Sequence, residues 1–229
     1  MSSLIKDEAI VLRKSPVGDY DVSITVYMRK QGKENIYLPK GQLLKSPYIS
    51  STEPFTWFKG VFIRKREKFF IKEIDRSKAL GIEICKDLNR FITANYMLDT
   101  FNRYIIYPDE RMFIFLKKSL YYLTGSCDMS IFRLNFLAKL VYLSGIYPEL
   151  KQCVRCGENI NRNNYQLFSI SEGGVVCTKC SKQKRNISYQ HIKYLQQLRI
   201  IRFKNLPKLR IKDAHYLEKI LSDYLSKNA

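Results

Sequence analysis

Apolar and polar side chains alternate over residues 22–29, early in the chain. Val22, Ile24, Val26 and Met28 fall on one side of an extended segment, and the side chains between them fall on the other. A period of two residues predicts a half-buried β-strand. Four more segments have strand composition, namely residues 8–13, 33–38, 55–64 and 69–74. Five short strands in so small a region predict a closed barrel of the OB-fold type.

Beyond residue 78 the apolar residues recur with the period of a helix. The segments with this period include residues 82–97, 112–123, 134–142, 192–198 and 217–225. Asp109, Ser130 and Ser188 precede three of these segments and are the predicted N-caps. The sequence therefore predicts an α+β protein with a five-stranded OB-fold barrel over residues 1–78, followed by an α-helical domain over residues 79–229.

Two pairs of cysteines interrupt the helical pattern. Cys153 and Cys156 form one C-x-x-C motif, Cys177 and Cys180 form another, and residues 157–176 separate them. This spacing is typical of a zinc site in which four thiolates complete a tetrahedron. Because four protein ligands leave no position for water or substrate, the predicted Zn²⁺ is structural. It would hold an inserted module of about residues 150–185.

Two other roles for these cysteines have less support. A redox C-x-x-C motif needs only one pair and is expected in a βαβ context. Two structural disulfides would require an oxidising compartment, and the N-terminal residues have neither the apolar region nor the cleavage site of a signal peptide. The remaining cysteines, Cys85 and Cys127, lie in apolar helical patterns and are expected in the core.

The chain shows no candidate for a membrane-spanning segment. Its most apolar stretch, residues 131–146, is interrupted by Arg133, Asn135 and Lys139, which indicates a buried amphipathic helix. No membrane partner is therefore expected. Together with the cysteine usage, this pattern predicts a soluble protein of the cytoplasm.

The charge of the chain points to a polyanionic partner. Forty Lys and Arg residues against 21 Asp and Glu residues give a formal net charge of +19. The excess lies at both ends: residues 1–80 have a net charge of +7 and residues 181–229 have +9. Clustered positive charge of this size favours nucleic acid over a surface that is merely solvated.

Motifs for catalysis are missing from the sequence. The glycines match neither the phosphate-binding loop of nucleotide hydrolases nor the dinucleotide-binding fingerprint. Neither His191 nor His215 belongs to a metalloprotease or deaminase motif. Carboxylates that would hold the metal ions of a nuclease are not clustered. The protein is therefore expected not to be an enzyme.

The cysteine region resembles a known family. Residues 143–157, LSGIYPELKQCVRCG, and residues 168–180, FSISEGGVVCTKC, are similar to the two halves of the zinc region of RecO, a bacterial recombination mediator and DNA-repair protein. Residues 8–13, EAIVLR, together with Gly18, Asp21 and the Gly32-Lys33 and Lys40-Gly41 pairs, resemble the OB domain of that family. The resemblance covers essentially the whole chain.

This resemblance implies a non-catalytic protein of the bacterial cytoplasm and nucleoid that binds single- and double-stranded DNA and anneals complementary strands. It also implies that the protein acts together with RecR, and that the two let RecA displace single-stranded-DNA-binding protein. The C-terminal tail of single-stranded-DNA-binding protein is a further expected partner. An RNA-binding or transcription-associated zinc-ribbon protein is the alternative, because OB-folds bind RNA as well as DNA.

Basic residues at both ends are the predicted DNA contacts. The loop of residues 40–47 departs from the family, since Leu43 and Leu44 occupy positions that are often charged there. The expected contacts are Arg13, Lys33, Lys40, Lys45, Arg64, Lys65 and Arg66 in the barrel, and Arg199, Arg202, Lys204, Lys208 and Arg210 near the C-terminus. Trp57, Phe58, Phe62 and Tyr37 are expected mainly in the barrel core, and would stack on bases only if they face outward.

Overall fold

The computed structural model describes residues 2–43, 45–46, 48–66, 68–125 and 128–228, so Leu44 and Cys127 lie outside the described residues. The chain forms two compact units, Met1–Gly125 and Ser126–Ala229. Among the described residues, no helix is both long and apolar enough to cross a membrane.

The first unit contains the predicted barrel. Its strands are β1 (Ser2–Val17), β2 (Asp21–Met28), β3 (Gly32–Leu38), β4 (Thr56–Lys65) and β5 (Lys68–Ala79). They close in the order β1-β2-β3-β5-β4, with β1 paired to both β2 and β4 and with β3 parallel to β5. This is the arrangement of an OB-type barrel, and it confirms the predicted fold class.

The alternation of β2 places its apolar face inside the barrel as predicted. Val22, Ile24, Val26 and Met28 are all at most 1% exposed. Tyr27 points to the opposite side and is also fully buried, because the chain after the second helix covers it: its hydroxyl donates to Tyr107 O at 2.8 Å and accepts from Asp109 N at 2.9 Å.

In the described part of the first unit, the barrel is accompanied by helices α1 (Gly81–Ile84), α2 (Leu88–Tyr104) and α3 (Glu110–Leu123). The Asp109 side chain accepts hydrogen bonds from the first turn of α3, which confirms the predicted N-cap. A Cβ at Gly32 would lie 2.6 Å from Ile106 O, which is too close for any side chain. Glycine at this position therefore allows β3 to pack directly against the segment after α2.

The predicted apolar stripe of residues 82–97 is wrong over most of residues 82–92, although Ile84 and Met97 are fully buried. The side chains of Ile82, Leu88 and Ile92 are 72%, 71% and 51% exposed, and Cys85, which was expected in the core, is exposed as well. The helix stops after α1 and restarts at Leu88, because the Asp87 side chain caps α2 by accepting from Arg90 N. Because the helix restarts, the apolar residues before and after Asp87 no longer lie on one continuous helical face.

The second unit is built on helices α4 (Met129–Leu143), α5 (Tyr189–Leu198) and α6 (Ala214–Asn228). Between α4 and α5 lies a two-stranded sheet of β6 (Tyr165–Ser169) and β7 (Gly174–Cys177). The Ser188 cap of α5 is present as predicted. The N-cap of α4 is Asp128 and not the predicted Ser130, whose hydroxyl donates to Asp128 Oδ1 at 2.6 Å.

The compact units and the predicted domains divide the chain differently. The predicted boundary at residue 78 coincides with the end of β5, whereas the first compact unit also includes α1, α2 and α3. Because Tyr27 and Gly32 contact the segment between α2 and α3, the barrel and these helices share buried surface. The division into a barrel domain of residues 1–78 and a helical domain of residues 79–229 stays a prediction.

Candidate metal centre and nucleic-acid surface

The two C-x-x-C motifs form two tight turns that face each other. In the first turn, Gly157 N donates to Cys153 O at 2.8 Å, and in the second, Cys180 N donates to Cys177 O at 3.1 Å. Gly157 has a φ of 75°, a conformation that glycine adopts at no steric cost. Each turn therefore directs two thiols towards one point, as the spacing predicted.

The four sulfur atoms fit the size of a zinc site. All four Sγ atoms of Cys153, Cys156, Cys177 and Cys180 lie within 4.8 Å of one another, and the Cys156 and Cys177 sulfurs are 3.7 Å apart. A tetrahedron with metal–sulfur bonds of about 2.3 Å has edges of roughly 3.8 Å. The donor set and its dimensions therefore suit a four-coordinate, thiolate-preferring ion such as Zn²⁺.

The surroundings of the cluster favour charge on one of its sulfurs. Burial raises the pKa of Cys153, but backbone N–H groups of Cys177, Arg155 and Cys156 outweigh burial and lower that pKa to about 6. The Cys177 N–H lies 3.4 Å from the Cys153 sulfur. Hydrogen bonds with Cys156 and Cys177 raise the pKa of Cys180 to about 12. A divalent ion would replace this competition among thiols with four thiolates and release protons.

An arginine joins the two halves of the module. The Arg155 guanidinium forms a two-pronged ion pair with Glu172, at 2.7 and 2.8 Å, and also donates to Cys180 O. The ion pair and a hydrogen bond from Ser169 lower the pKa of Glu172 to about 2. Arg155 therefore connects the first cysteine turn to the carbonyl of a ligand in the second.

A glycine lets the module pack tightly. A Cβ at Gly174 would lie 2.4 Å from Glu149 O and 2.8 Å from Val154 Cγ1. Val175 N donates to Glu149 O, and Val154 N donates to Val175 O at 3.0 Å. The segment that carries the first cysteine turn is therefore bonded directly to β7, which carries the second.

The predicted basic contacts of the barrel occupy separate places on its surface. Arg64, Lys65 and Arg66 are exposed at the β4–β5 turn, Lys40 and Lys45 are exposed in the segment after β3, and Arg13 is exposed on β1. Lys33 differs, because its ammonium group donates to Asn102 O at 2.8 Å and is half-buried. The assignment of all seven to DNA stays a prediction.

In the second unit, the predicted basic segment surrounds a 3₁₀ helix, Phe203–Lys208. Its exposed members are Arg202, Lys204, Lys208 and Arg210. Arg199 is partly buried, and its guanidinium carbon lies 5.2 and 5.4 Å from the ring centres of Tyr142 and Tyr147. This cation–π contact gives Arg199 a packing role in addition to its charge.

An aromatic groove lies on the outer face of the barrel. Tyr37 and Phe70 are half-buried there with their rings edge to face at 6.3 Å, and Lys68 borders them. The groove has a volume of ≈ 470 Å³ and also includes Val17, Ser23 and Asn35. Phe58 and Phe62 are fully buried in the core, as expected. Of the candidate aromatic residues, Tyr37 and Trp57 therefore lie on the outer face, and Trp57 is not in the barrel core.

Sequence reasoning did not single out Phe70 or Lys68. The signal was present in the alternation of β5: since Phe69 is 1% exposed and points inward, Phe70 must point outward. Lys68 pairs with Lys65 across the β4–β5 turn, so the groove adjoins the basic turn of residues 64–66. The groove and the turn thus form one continuous region of aromatic and basic side chains.

Trp57 is held in place by charged neighbours. Its indole N–H donates to Glu8 Oε2 at 2.8 Å, and the Lys117 ammonium lies 3.6 Å from its ring centre. Glu8 also forms ion pairs with Arg29 and Lys117 at 2.7 and 3.1 Å. Burial raises the pKa of Glu8, but hydrogen bonds from Lys117, Arg29 and Trp57 outweigh it, so the net pKa is below the ordinary value.

The fold and the site together define an α+β protein in which an OB-type barrel precedes helices that carry a four-cysteine cluster. Comparison with known proteins agrees. The family model described as Recombination protein O N terminal matches residues 1–79, and the one described as Recombination protein O C terminal matches residues 85–228. The chain belongs to the RecO family of DNA repair proteins, as its sequence motifs indicated.

Relatives from bacteria match most of the chain. A protein named DNA repair protein RecO from a Thermoanaerobacter species is 32% identical over 200 residues, which cover 83% of this chain and 79% of the relative. A protein of the same name from Caldanaerobacter subterraneus is 26% identical over 229 residues, which cover 96% and 91%. The alignment with the second relative therefore spans both the barrel and the region that contains the four cysteines.

Proposed function

We propose that this protein is a non-catalytic recombination mediator of the bacterial cytoplasm. It binds single- and double-stranded DNA without sequence preference and anneals complementary strands. With RecR, it helps RecA to load onto DNA coated by single-stranded-DNA-binding protein. Membership of the RecO family supports this role, and one structural observation supports the DNA-binding part of it.

That observation is the outward aromatic groove beside the basic β4–β5 turn. Tyr37 and Phe70 offer surfaces on which bases of any sequence can stack, and Lys68 with the turn residues offers charge for the phosphates. Phosphate contacts position a strand without reading its sequence and leave the base edges free to pair. These are the properties that strand annealing requires.

The four-cysteine cluster has a supporting role in this proposal. We assign it one Zn²⁺ bound by Cys153, Cys156, Cys177 and Cys180, which would stabilise the module between α4 and α5. When bound, the ion supplies folding energy and no open coordination site. The cluster therefore does not take part in DNA chemistry.

Annealing of two labelled complementary oligonucleotides, naked or coated with single-stranded-DNA-binding protein, tests the function. We expect fast annealing that needs no nucleotide and weakens steeply between about 50 and 200 mM salt, because each phosphate contact releases counterions. Tight binding without annealing, or a preference for RNA, would contradict the mediator role. Retention of purified RecR in a pull-down tests the protein partner separately.

A matched pair of variants tests the groove. Phe70→Ala removes a stacking surface, so we expect the affinity for single-stranded DNA to fall by about 1–3 kcal/mol. Phe91→Ala makes the same change at an exposed residue of α2 outside the groove and should leave affinity unchanged. Equal effects of the two substitutions, measured by fluorescence anisotropy, would refute the assignment of the groove.

A further inference from the structure

The four-cysteine cluster is not equally shielded on all sides. Cys153 and Cys177 are 2% and 0% exposed and belong to a small apolar cluster, against which the half-buried Cys180 packs. Cys156 is exposed, and so are its two neighbours in the turn of residues 155–157. Because thiol oxidation follows exposure, a small oxidant in solvent reaches Cys156 before it reaches the buried cysteines.

Two cationic side chains lie beside the cysteine turns. Lys179 is exposed between the cysteines of the second turn, and it forms an ion pair at 3.2 Å with Glu158, which follows the first turn. The Arg155 guanidinium reaches in the other direction and donates to Cys180 O. Positive neighbours favour a thiolate over a thiol, and the thiolate is the form that oxidants attack. Cys156 therefore combines exposure with adjacent positive charge.

A second sulfur lies within reach of Cys156. The Cys177 sulfur is 3.7 Å from the Cys156 sulfur, and a disulfide bond of about 2.05 Å requires the two to approach by roughly 1.7 Å. The backbone holds the two turns side by side, since Val154 N donates to Val175 O at 3.0 Å. Rotation of the Cys156 side chain on its exposed turn can close the remaining gap. The pair is therefore placed to form a disulfide between the two turns.

Such a disulfide would dismantle the metal site. It removes two of the four sulfur ligands, and Cys153 and Cys180 alone do not complete a tetrahedral site. Metal binding and folding are coupled in small modules of this kind, so residues 150–185 lose their structure when the ion leaves. The barrel lies in the other compact unit and is expected to keep its fold. This consequence rests on the proposed Zn²⁺.

We propose that Cys156 is an oxidation site, and that the four-cysteine cluster is a redox-sensitive lock on its module. Hydrogen peroxide is the oxidant. The Cys156 thiolate attacks one peroxide oxygen, so that an S–O bond forms, the O–O bond breaks and hydroxide leaves. The Cys177 thiolate then attacks the sulfenic sulfur of Cys156, which forms the S–S bond and releases a second hydroxide. The two electrons lost by the sulfurs reduce one peroxide to two hydroxide ions, and a dithiol reductant reverses the change.

Release of zinc by hydrogen peroxide tests the proposal. The full-length protein is first loaded with one Zn²⁺ per chain, verified by elemental mass spectrometry, and is then treated with hydrogen peroxide beside a metal-sensitive dye. We expect loss of the ion together with a Cys156–Cys177 disulfide in the peptide map, and recovery of bound zinc after dithiothreitol and fresh Zn²⁺ are added. Zinc that stays bound while Cys85 is oxidised, or zinc release without this disulfide, overturns the proposal.

Two histidine substitutions keep four metal ligands and separate the roles of the sulfurs. In Cys156→His a nitrogen replaces the exposed sulfur, so zinc should stay bound and its release by peroxide should slow by about tenfold or more. In Cys180→His the reacting pair is intact, so the rate should stay within about twofold of wild type. Equal protection by both substitutions would show that Cys156 is not the site of attack.

Two controls complete the test. Cys85→Ser removes an exposed thiol of the first unit and should leave the rate of zinc release unchanged. If either histidine variant fails to take up zinc, the disulfide map of the unaltered protein decides alone. A map in which Cys156 is bonded to Cys177 supports the proposal, and a map in which either cysteine stays reduced overturns it.

The outcomes also separate this proposal from the proposed function. If the chain takes up no Zn²⁺ at the loading step, the metal assignment fails and the lock fails with it, whatever annealing shows. If zinc is bound but peroxide forms no Cys156–Cys177 disulfide, only the redox proposal fails. Failure of annealing in the unaltered protein would refute the DNA-binding role and leave the oxidation site standing.

Discussion

Replacing Cys177 by serine tests whether the four-cysteine cluster holds its module together. Cys177 is fully buried, and its neighbours form a small cluster in which Leu167 and Val176 are the buried aliphatic side chains. Full burial of two such side chains contributes about 3–6 kcal/mol. A bound zinc ion contributes on the order of 10 kcal/mol to the folding of a small module. The ion is therefore expected to be the larger contribution.

The expected result is a local collapse. Cys177→Ser should lose the metal, measured as zinc per chain by elemental mass spectrometry, and amides of residues 150–185 should exchange rapidly with deuterium. Amides of the barrel strands should keep their protection, because the cluster lies in the second compact unit. Cys85→Ser is the matched control, since Cys85 is exposed and lies in the first unit.

Two results would refute this reasoning. If Cys177→Ser retains one zinc per chain, the remaining three sulfurs suffice and the fourth is not a required ligand. If the barrel loses protection as much as the module does, the two compact units do not unfold separately. An equal effect of Cys85→Ser would point to a general response to cysteine loss.

Two further substitutions test single contacts. Glu8→Gln should lower the free energy of unfolding by about 1 kcal/mol at neutral pH. Because the pKa of Glu8 is lowered in the folded protein, this contribution is fully present above the unfolded pKa of about 4.3 and is lost as the pH falls through the folded pKa. The free energies of unfolding of the variant and the wild type, measured with denaturant, should therefore be equal at about pH 2–3, and a remaining difference there would contradict the prediction. Gly174→Ala forces a Cβ against Glu149 O and should lower the free energy of unfolding by about 1–3 kcal/mol. The variant should also lose zinc to a chelator faster than the wild type does, and an unchanged rate of zinc loss would contradict the prediction.

Much of the barrel could be predicted because its signal is local. The alternation of β2 follows from one buried face, and the N-cap Asp109 acts on the residues directly after it. The burial of Tyr27 could not be predicted in this way. Its partners, Phe101, Tyr107 and Asp109, lie more than seventy residues further along the chain, and no local pattern indicates that they pack there.

The helical pattern predicted the wrong buried residues around the start of α2. A continuous helix from residue 82 would align its apolar residues on one face, but Asp87 offers its carboxylate to Arg90 N and restarts the helix. The competition between a capping side chain and the helix ladder depends on tertiary packing as well as on sequence. As a result, Ile82 and Leu88 are exposed while Met97 and Phe101 form the buried face.

The cysteine cluster was predictable from spacing alone, but the contacts that support it were not. Two C-x-x-C turns fix their own geometry, whereas the pairing of Arg155 with Glu172 joins residues 17 positions apart in opposite halves of the module. Nothing in either residue's local sequence selects the other. Long-range ion pairs of this kind become visible only when the fold brings the segments together.

The pairing of β1 has a consequence for how the protein is made. Residues Ala9–Val17 pair with β2, which follows directly, and the Glu8 carbonyl accepts from Arg29 N just after β2. The backbone of Ser2 to Asp7 pairs only with β4, whose partner residues are 60–65. At a synthesis rate of about 5–20 residues per second, β4 is made several seconds after the beginning of β1. During that time the beginning of β1 has no strand to pair with. Lys6 and Asp7 put charge on this temporarily unpaired edge, which discourages pairing with other nascent chains. Replacing Lys6, whose side chain is exposed in the finished protein, by an apolar residue should therefore reduce soluble yield during expression more than it lowers the melting temperature.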